Sequence, residues 1–99
     1  MKTFYVYMMS NRSRTVLYTG VTNSLESRLW FHANENPKSF VNRYRCDRLV
    51  YYESFNTASD AIAREKQIKG WRREKKDDLV RTLNPSWKDL RQEILGICD

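Results

Sequence analysis

Residues 5 to 21 read YVYMMSNRSRTVLYTGV, and no other stretch constrains the fold as strongly. Residues 3–9 (TFYVYMM) and 15–21 (TVLYTGV) are rich in β-branched and aromatic residues, and the turn-prone Ser10-Asn11-Arg12-Ser13-Arg14 separates them. That pattern predicts an antiparallel hairpin. Alternate strand residues share a face, so Tyr5 and Tyr7 point together and Tyr18 shares its side with Val16 and Gly20. With Asn11 to Arg14 as the loop, Tyr7 stands opposite Tyr18, and any even-length loop leaves both hydroxyls on one side. Two phenols then converge beside a residue with no side chain, where a ligand or another backbone can come close. Cross-strand aromatic pairs also occur simply as packing, so the pattern leaves both readings open.

The rest of the chain supplies cover for the hairpin. Thr22-Asn23-Ser24 precede LESRLWFHANE, whose apolar Leu25, Leu29 and Trp30 predict a helix that ends before Asn36-Pro37. Residues 36–46 lack clean periodicity and read as a loop or short irregular helix. Residues 47–55 (DRLVYYESF) predict a third strand. Thr57-Ala58-Ser59-Asp60 cap a helix over about 61–69, which Gly70 interrupts. A second helix runs over about 71–83 until Asn84-Pro85, and a last one from about Ser86 carries Leu90, Ile94 and Leu95. The order β-β-α-β-α-α-α predicts an α/β fold, a small three-stranded antiparallel or mixed sheet flanked by helices, with 1–99 as a single domain.

At 99 residues such a domain buries only about 60–65% of its unfolded surface, so one thin core must serve every element. No run approaches the roughly 18 apolar residues a membrane span needs, and the start MKTFYVY lacks a secretory pattern. Cys46 and Cys98 form no CxxC pair and read as reduced thiols. A cytoplasmic protein with no membrane partner is expected.

Charge is more informative. The net charge of +6 favours an anionic partner, and residues 64–76 (REKQIKGWRREKK) hold seven Lys or Arg against two Glu around Trp71. On a helix, Lys69, Arg72, Arg73, Lys75 and Lys76 form a positive stripe with an aromatic plate, suited to phosphates and a stacked base. A solvated face with i to i+4 ion pairs fits the same pattern equally well.

Arg28 and His32 lie four residues apart, on one helix face near the tyrosines. A guanidinium holds phosphate through paired hydrogen bonds, while an imidazole or phenol relays protons. Glu65 reads either as a metal ligand or as an ion-pair partner for Lys69, and spacing does not choose.

Taken together, Tyr5-Val6-Tyr7, Tyr18-Thr19-Gly20, Arg28, His32, Glu65 and Asn84 resemble the GIY-YIG nuclease superfamily, in particular its small stand-alone bacterial members. The resemblance spans nearly the whole chain and extends to the nuclease domains of the excinuclease C subunit and of homing endonucleases. Here YVY stands for GIY and YTG for YIG, so both tyrosines remain while Tyr5 replaces a glycine and crowds the site.

The resemblance implies a metal-dependent endonuclease that hydrolyses phosphodiester bonds in DNA, with a role in repair or recombination. It implies a divalent ion, magnesium or manganese, held by Glu65. Tyr7 becomes the base, its pKa lowered by the adjacent metal and positive charge, with His32 as its rival. Tyr18 positions water or a phosphate oxygen, Arg28 stabilises developing charge, and Asn84 orients the others unless it is an ordinary Asn-Pro turn. The competing reading is a non-catalytic nucleic-acid-binding module built on residues 64–76. Either way, weak intrinsic sequence preference is expected, with specificity supplied by DNA shape or a separate protein.

Overall fold

The computed structural model describes residues 2–34 and 45–96, without the side chains of 31–34. The hairpin forms as β1 (Phe4–Ser10) and β2 (Leu17–Thr22), followed by α1 (Leu25–Asn34), β3 (Arg48–Phe55), α2 (Ala58–Lys69), α3 (Arg73–Leu83) and α4 (Arg91–Leu95). The sheet is antiparallel throughout, in the order β2-β1-β3, so β1 is central and β2 an outer strand. Most of residues 36–46, expected as a loop or irregular helix, lies outside the described residues, as does Cys98. Among the described residues no helix is long and apolar enough to cross a membrane.

Period-two alternation divides the core between the two faces of the sheet. Val6, Met8, Val50 and Tyr51 face α2 and α3, where Ala61, Ile68, Val80 and Trp87 complete one buried cluster. Tyr7, Met9 and Leu49 face the other way, toward Leu25, Leu29, Cys46 and Leu90. A register shift opposite Met8 and Met9 pairs them with Tyr51 and Leu49, leaving Val50 as an extra residue. This bulge turns the adjacent Val50 and Tyr51 into the same cluster, which strict alternation forbids.

Local chemistry explains most boundaries. The Ser24 side chain accepts from Ser27 N (3.3 Å) at the start of α1, and the Thr57 hydroxyl accepts from Asp60 N (3.2 Å) at the start of α2. Leu25 and Leu29 are buried as the helix pattern demands, whereas Trp30 is 60% exposed. In the hairpin loop the Asn11 carboxamide oxygen accepts from Thr15 N and Val16 N at 2.9 and 3.0 Å, which lengthens the connection to six residues, 11–16.

Two expected helix starts move later. α3 begins at Arg73, because Trp71 turns inward to pack on the Val6 and Met8 cluster. The last helix begins at Arg91 and not near Ser86. Between them the buried Asn84 side chain donates to Val50 O (3.0 Å) and Lys88 O (2.8 Å) and accepts from Lys88 N (3.1 Å). These bonds impose a compact turn, within which Trp87 takes a left-handed φ of 54°. The Arg14 guanidinium donates to Ser86 O at 3.2 Å and lies 5.6 Å from the centre of the Trp87 ring, while Arg73 donates to the carbonyls of Arg14 and Thr15. The hairpin tip is thereby clasped to α3 and to the turn that follows it.

Removing the Asn84 amide leaves buried carbonyls without donors. Asn84→Ala is expected to lower unfolding free energy by about 2–4 kcal/mol in urea denaturation, well beyond the effect of an exposed Asn in an Asn-Pro turn.

Candidate active site

Tyr7 sits in the middle of the central strand, 1% exposed, and its register partner on β2 is Gly20. Tyr18 pairs instead with Met9, so the expected direct Tyr7–Tyr18 pairing is displaced by two residues. The longer loop causes the displacement, and its even length preserves the shared face. The two rings lie 6.2 Å apart between centroids, tilted by 48°, with a hydrogen bond between their hydroxyls.

The register gives Gly20 its purpose. A Cβ built there would lie 2.5 Å from the Tyr7 hydroxyl oxygen and 2.6 Å from Cζ, closer than real contacts allow. The group that approaches this glycine is therefore the protein's own phenol, which crosses the outer strand where it carries no side chain. Thr19 points to the opposite side, where its hydroxyl is buried with no partner among the described residues. Nothing in the structure explains why a hydroxyl is kept there.

The Arg28 guanidinium of α1 and the Glu65 carboxylate of α2 both act electrostatically on the Tyr7 hydroxyl. In α2 the buried Ala61 and Ile68 mark the stripe facing the sheet, and Arg64 and Glu65 flank it on opposite sides. Arg64 turns to Glu53 of β3 with a 2.6 Å salt bridge. Glu65, with 15% of its side chain exposed, pairs at 3.2 Å with the half-exposed Lys69. Although α2 covers the sheet face opposite the Tyr7 ring, the Glu65 charge acts on the Tyr7 hydroxyl. Tyr18, Arg28 and Glu65 thus all act on Tyr7, from elements on both faces of the sheet.

Burial, more than any neighbour, pushes the Tyr7 hydroxyl well above the ordinary phenol range. Tyr18, through electrostatic coupling and a hydrogen bond, and the Glu65 carboxylate act in the same direction, and Arg28 opposes them without prevailing. In the protein alone desolvation thus outweighs the single guanidinium, whereas the expected lowering counts the charge of a metal as well. Tyr51 is also raised, first by burial and then by its hydrogen bond to Glu53. The Cys46 thiol is pushed up to about 11 by burial and Asp47, consistent with an inert reduced thiol.

The remaining expected site residues divide. The side chain of His32 lies outside the described residues. Asn84 is anchored to Val50 on β3, across the sheet from Gly20, with its amide fully occupied by backbone groups. Its expected place beside the tyrosines gives way to holding the turn after α3. The expected basic stripe is also broken, at residues 70–72. Trp71 packs on the core, and its ring already carries Lys75 Nζ at 4.3 Å and the Arg64 guanidinium at 5.2 Å from the centroid. It is no open plate for a base. Arg73 is bound to Asp77 at 2.7 Å and to the hairpin carbonyls, and Lys69 to Glu65, whereas Arg72 and Lys75 stay exposed and Lys76 partly so.

Tyr7 and Tyr18 are thus paired over a bare glycine on a three-stranded antiparallel sheet, with Arg28 on the next helix and Glu65 on the one after β3. The model of the GIY-YIG catalytic domain matches residues 3–78, and the chain belongs to that family of nucleases. It is 36% identical over 76 residues to a UPF0213 protein of Staphylococcus saprophyticus, covering 77% of this chain and 92% of the relative. A UPF0213 protein of Clostridium perfringens is 32% identical over 90 residues, covering 91% and 96%. The solution NMR structure of the UPF0213 protein BH0048 from Bacillus halodurans has the same fold, with a TM-score of 0.56 at 24% identity over 91% of this chain and 95% of that one.

Gly20→Ala is expected to displace the Tyr7 ring and to cost about 1–3 kcal/mol in urea denaturation, with altered ring resonances in NMR spectra. A wild-type Tyr7 spectrum in that variant would refute the packing described. A second expectation concerns alkaline pH. Unfolded tyrosines lose their protons near pH 10, whereas folded Tyr7 and Tyr51 keep theirs, so the unfolded state binds fewer protons. Stability should therefore be level below pH 10 with respect to these groups and fall above it, and Tyr7→Phe with Tyr51→Phe should flatten the fall.

Proposed function

We propose that this chain is a metal-dependent endonuclease acting on phosphodiester bonds of DNA, with Tyr7, Tyr18, Arg28 and Glu65 as its reacting centre. The observation carrying this reading is the convergence on Tyr7 of a second phenol, a guanidinium and a carboxylate, drawn from β2, α1 and α2. Four polar side chains from separate elements are not required by packing alone.

The donor set suits a hard cation. Glu65 offers one largely enclosed carboxylate, and no group of three His, Cys, Asp or Glu forms a cage among the described residues. Magnesium, or manganese in its place, is commonly held by one or two carboxylates with waters and substrate phosphate completing its shell. Bound there, such an ion would supply positive charge beside phosphate and acidify nearby oxygens. The Lys69 ammonium that now pairs with Glu65 is half exposed and readily displaced.

Around that ion the chain's own groups have separable tasks. Tyr7 holds its proton at neutral pH in the metal-free protein and serves as a base only when added positive charge offsets burial. His32 is the alternative base. Tyr18, hydrogen-bonded to Tyr7, orients water or a phosphate oxygen. Arg28 stabilises charge accumulating on phosphorus oxygens. Asn84 acts at a distance, by holding α3 to the sheet. Arg72, Lys75 and Lys76 hold flanking phosphates, DNA shape or another protein provides specificity, and the role in repair or recombination rests on the family resemblance. The second reading, a binding module without cleavage, draws support from the Glu65–Lys69 pair, which satisfies the carboxylate without metal.

Cleavage of supercoiled, branched and single-stranded DNA with magnesium, manganese or chelator separates them. Glu65→Gln is expected to reduce metal-dependent cleavage about 100-fold or more while leaving DNA affinity in chelator intact or raised. Equal cleavage by variant and wild type would remove Glu65 from the site. A wild type that binds these DNAs without cutting any would make the chain a binding module.

A further inference from the structure

A second cationic feature lies at the hairpin end of the sheet, apart from Tyr7 and from the basic segment of α2 and α3. An open cleft of about 560 Å³ is bounded by the loop residues Asn11 and Arg12, by Arg45 and Arg48 leading into β3, and by Asp89 and Arg91 before and within α4. Asp89 is fully engaged. It accepts from Leu49 N at 3.2 Å and from Arg91 N at 3.0 Å, and it pairs with the Arg91 guanidinium at 2.8 Å. Arg12, Arg45 and Arg48 make no ion pair among the described residues, and Asp47 is the one further carboxylate lining the cleft. Three guanidinium groups therefore face a concave space against one exposed carboxylate. Asn11 and Ser13 lie at its rim, the Asn11 amide being engaged with the Ser13 and Thr15 hydroxyls.

Like charges gathered around a cavity repel each other unless an anion occupies it, and guanidinium forks match phosphate oxygens in pairs. The cleft is also placed for a polymer. Arg48 is the register partner of Ser10, three residues along β1 from Tyr7, which is about 10 Å of strand.

We propose that this cleft is a second phosphate site, taking a phosphodiester group of the same nucleic-acid strand a few nucleotides from the one beside Tyr7. The proposal rests on the reading of the chain as a protein that engages nucleic acid. Arg12 and Arg48 make the charge-assisted contacts, Arg45 closes the side, and Asn11 both shapes the hairpin loop and lines the site. Occupancy of both sites fixes the direction of the strand across the sheet, which a single phosphate contact cannot do.

The test uses the full chain in chelator, with amide NMR spectra recorded during titration with a thymidylate octamer and, separately, inorganic pyrophosphate. The octamer is expected to shift the amides of Asn11, Arg12, Ser13 and Arg48. The Arg12→Gln, Arg48→Gln double variant should bind it about tenfold more weakly, with the slope of log affinity against log salt reduced by about 0.7 for each phosphate no longer neutralised. Arg12 is exposed, so Arg12→Gln alone provides the same slope measurement if replacing Arg48 perturbs folding. Unmoved amides, or unchanged affinity and slope in the variants, would overturn the proposal. Pyrophosphate shifting these amides while the octamer does not would overturn it in favour of a free phosphate ligand. No cleavage is needed for any of these readouts, so a chain that cuts nothing but shows the shifts retains the cleft and loses only the nuclease reading.

Discussion

The site depends on one packing contact, the Tyr7 phenol lying over Gly20. The central strand of a thin sheet is the most desolvated position available, and a tyrosine there must still give its hydroxyl a partner. Because Gly20 carries no side chain, the ring extends across the outer strand and delivers the hydroxyl to Tyr18. The same contact fixes the hairpin register, since any other pairing would set the phenol against a β-carbon. It also determines the electrostatics. A hydroxyl this buried keeps its proton against the pull of Arg28, so chemistry that ionises it requires additional positive charge.

Helix α2 couples this contact to the rest of the fold. Ala61 and Ile68 bury it on one face of the sheet, and the two residues flanking that stripe carry opposite charge in opposite directions. Arg64 goes to Glu53 on β3, which also takes the Tyr51 hydroxyl, while Glu65 acts on Tyr7. One helix thus packs the core and presents a carboxylate near the other face's phenols. The geometry needs α2 to hold its angle, and the Trp71 anchor beyond its end provides that by packing on the same cluster.

Cations in this protein do two kinds of work. Arg14, Arg64 and Arg73 are structural, clasping the hairpin tip, β3 and α3 through carbonyls, carboxylates and aromatic rings. Arg72 and Lys75 remain exposed, and Arg12, Arg45 and Arg48 line a separate cleft. The net charge of +6 therefore overstates the cationic surface contributed by residues 64–76 and conceals the contribution from the hairpin end.

Local patterns in the sequence determined the order of elements, the hairpin, the caps at Ser24 and Thr57, and the shared face of Tyr7 and Tyr18, because each depends on residues within a few positions of one another. Tyr7, Tyr18, Arg28 and Glu65 were put forward by the family resemblance, since the spacing of Glu65 alone did not choose between a metal ligand and an ion pair with Lys69. What the sequence left open was decided by contacts between distant segments. The Asn11 side chain added two residues to the loop and moved Tyr7 opposite Gly20. The Val50 bulge redirected Tyr51, Asn84 bound β3 and delayed the last helix, and Trp71 turned into the core. The sign of the Tyr7 pKa shift belonged to this second group. Nearby charges can be read from a motif, but desolvation is set by everything packed around the group, and only the assembled sheet and helices supply that.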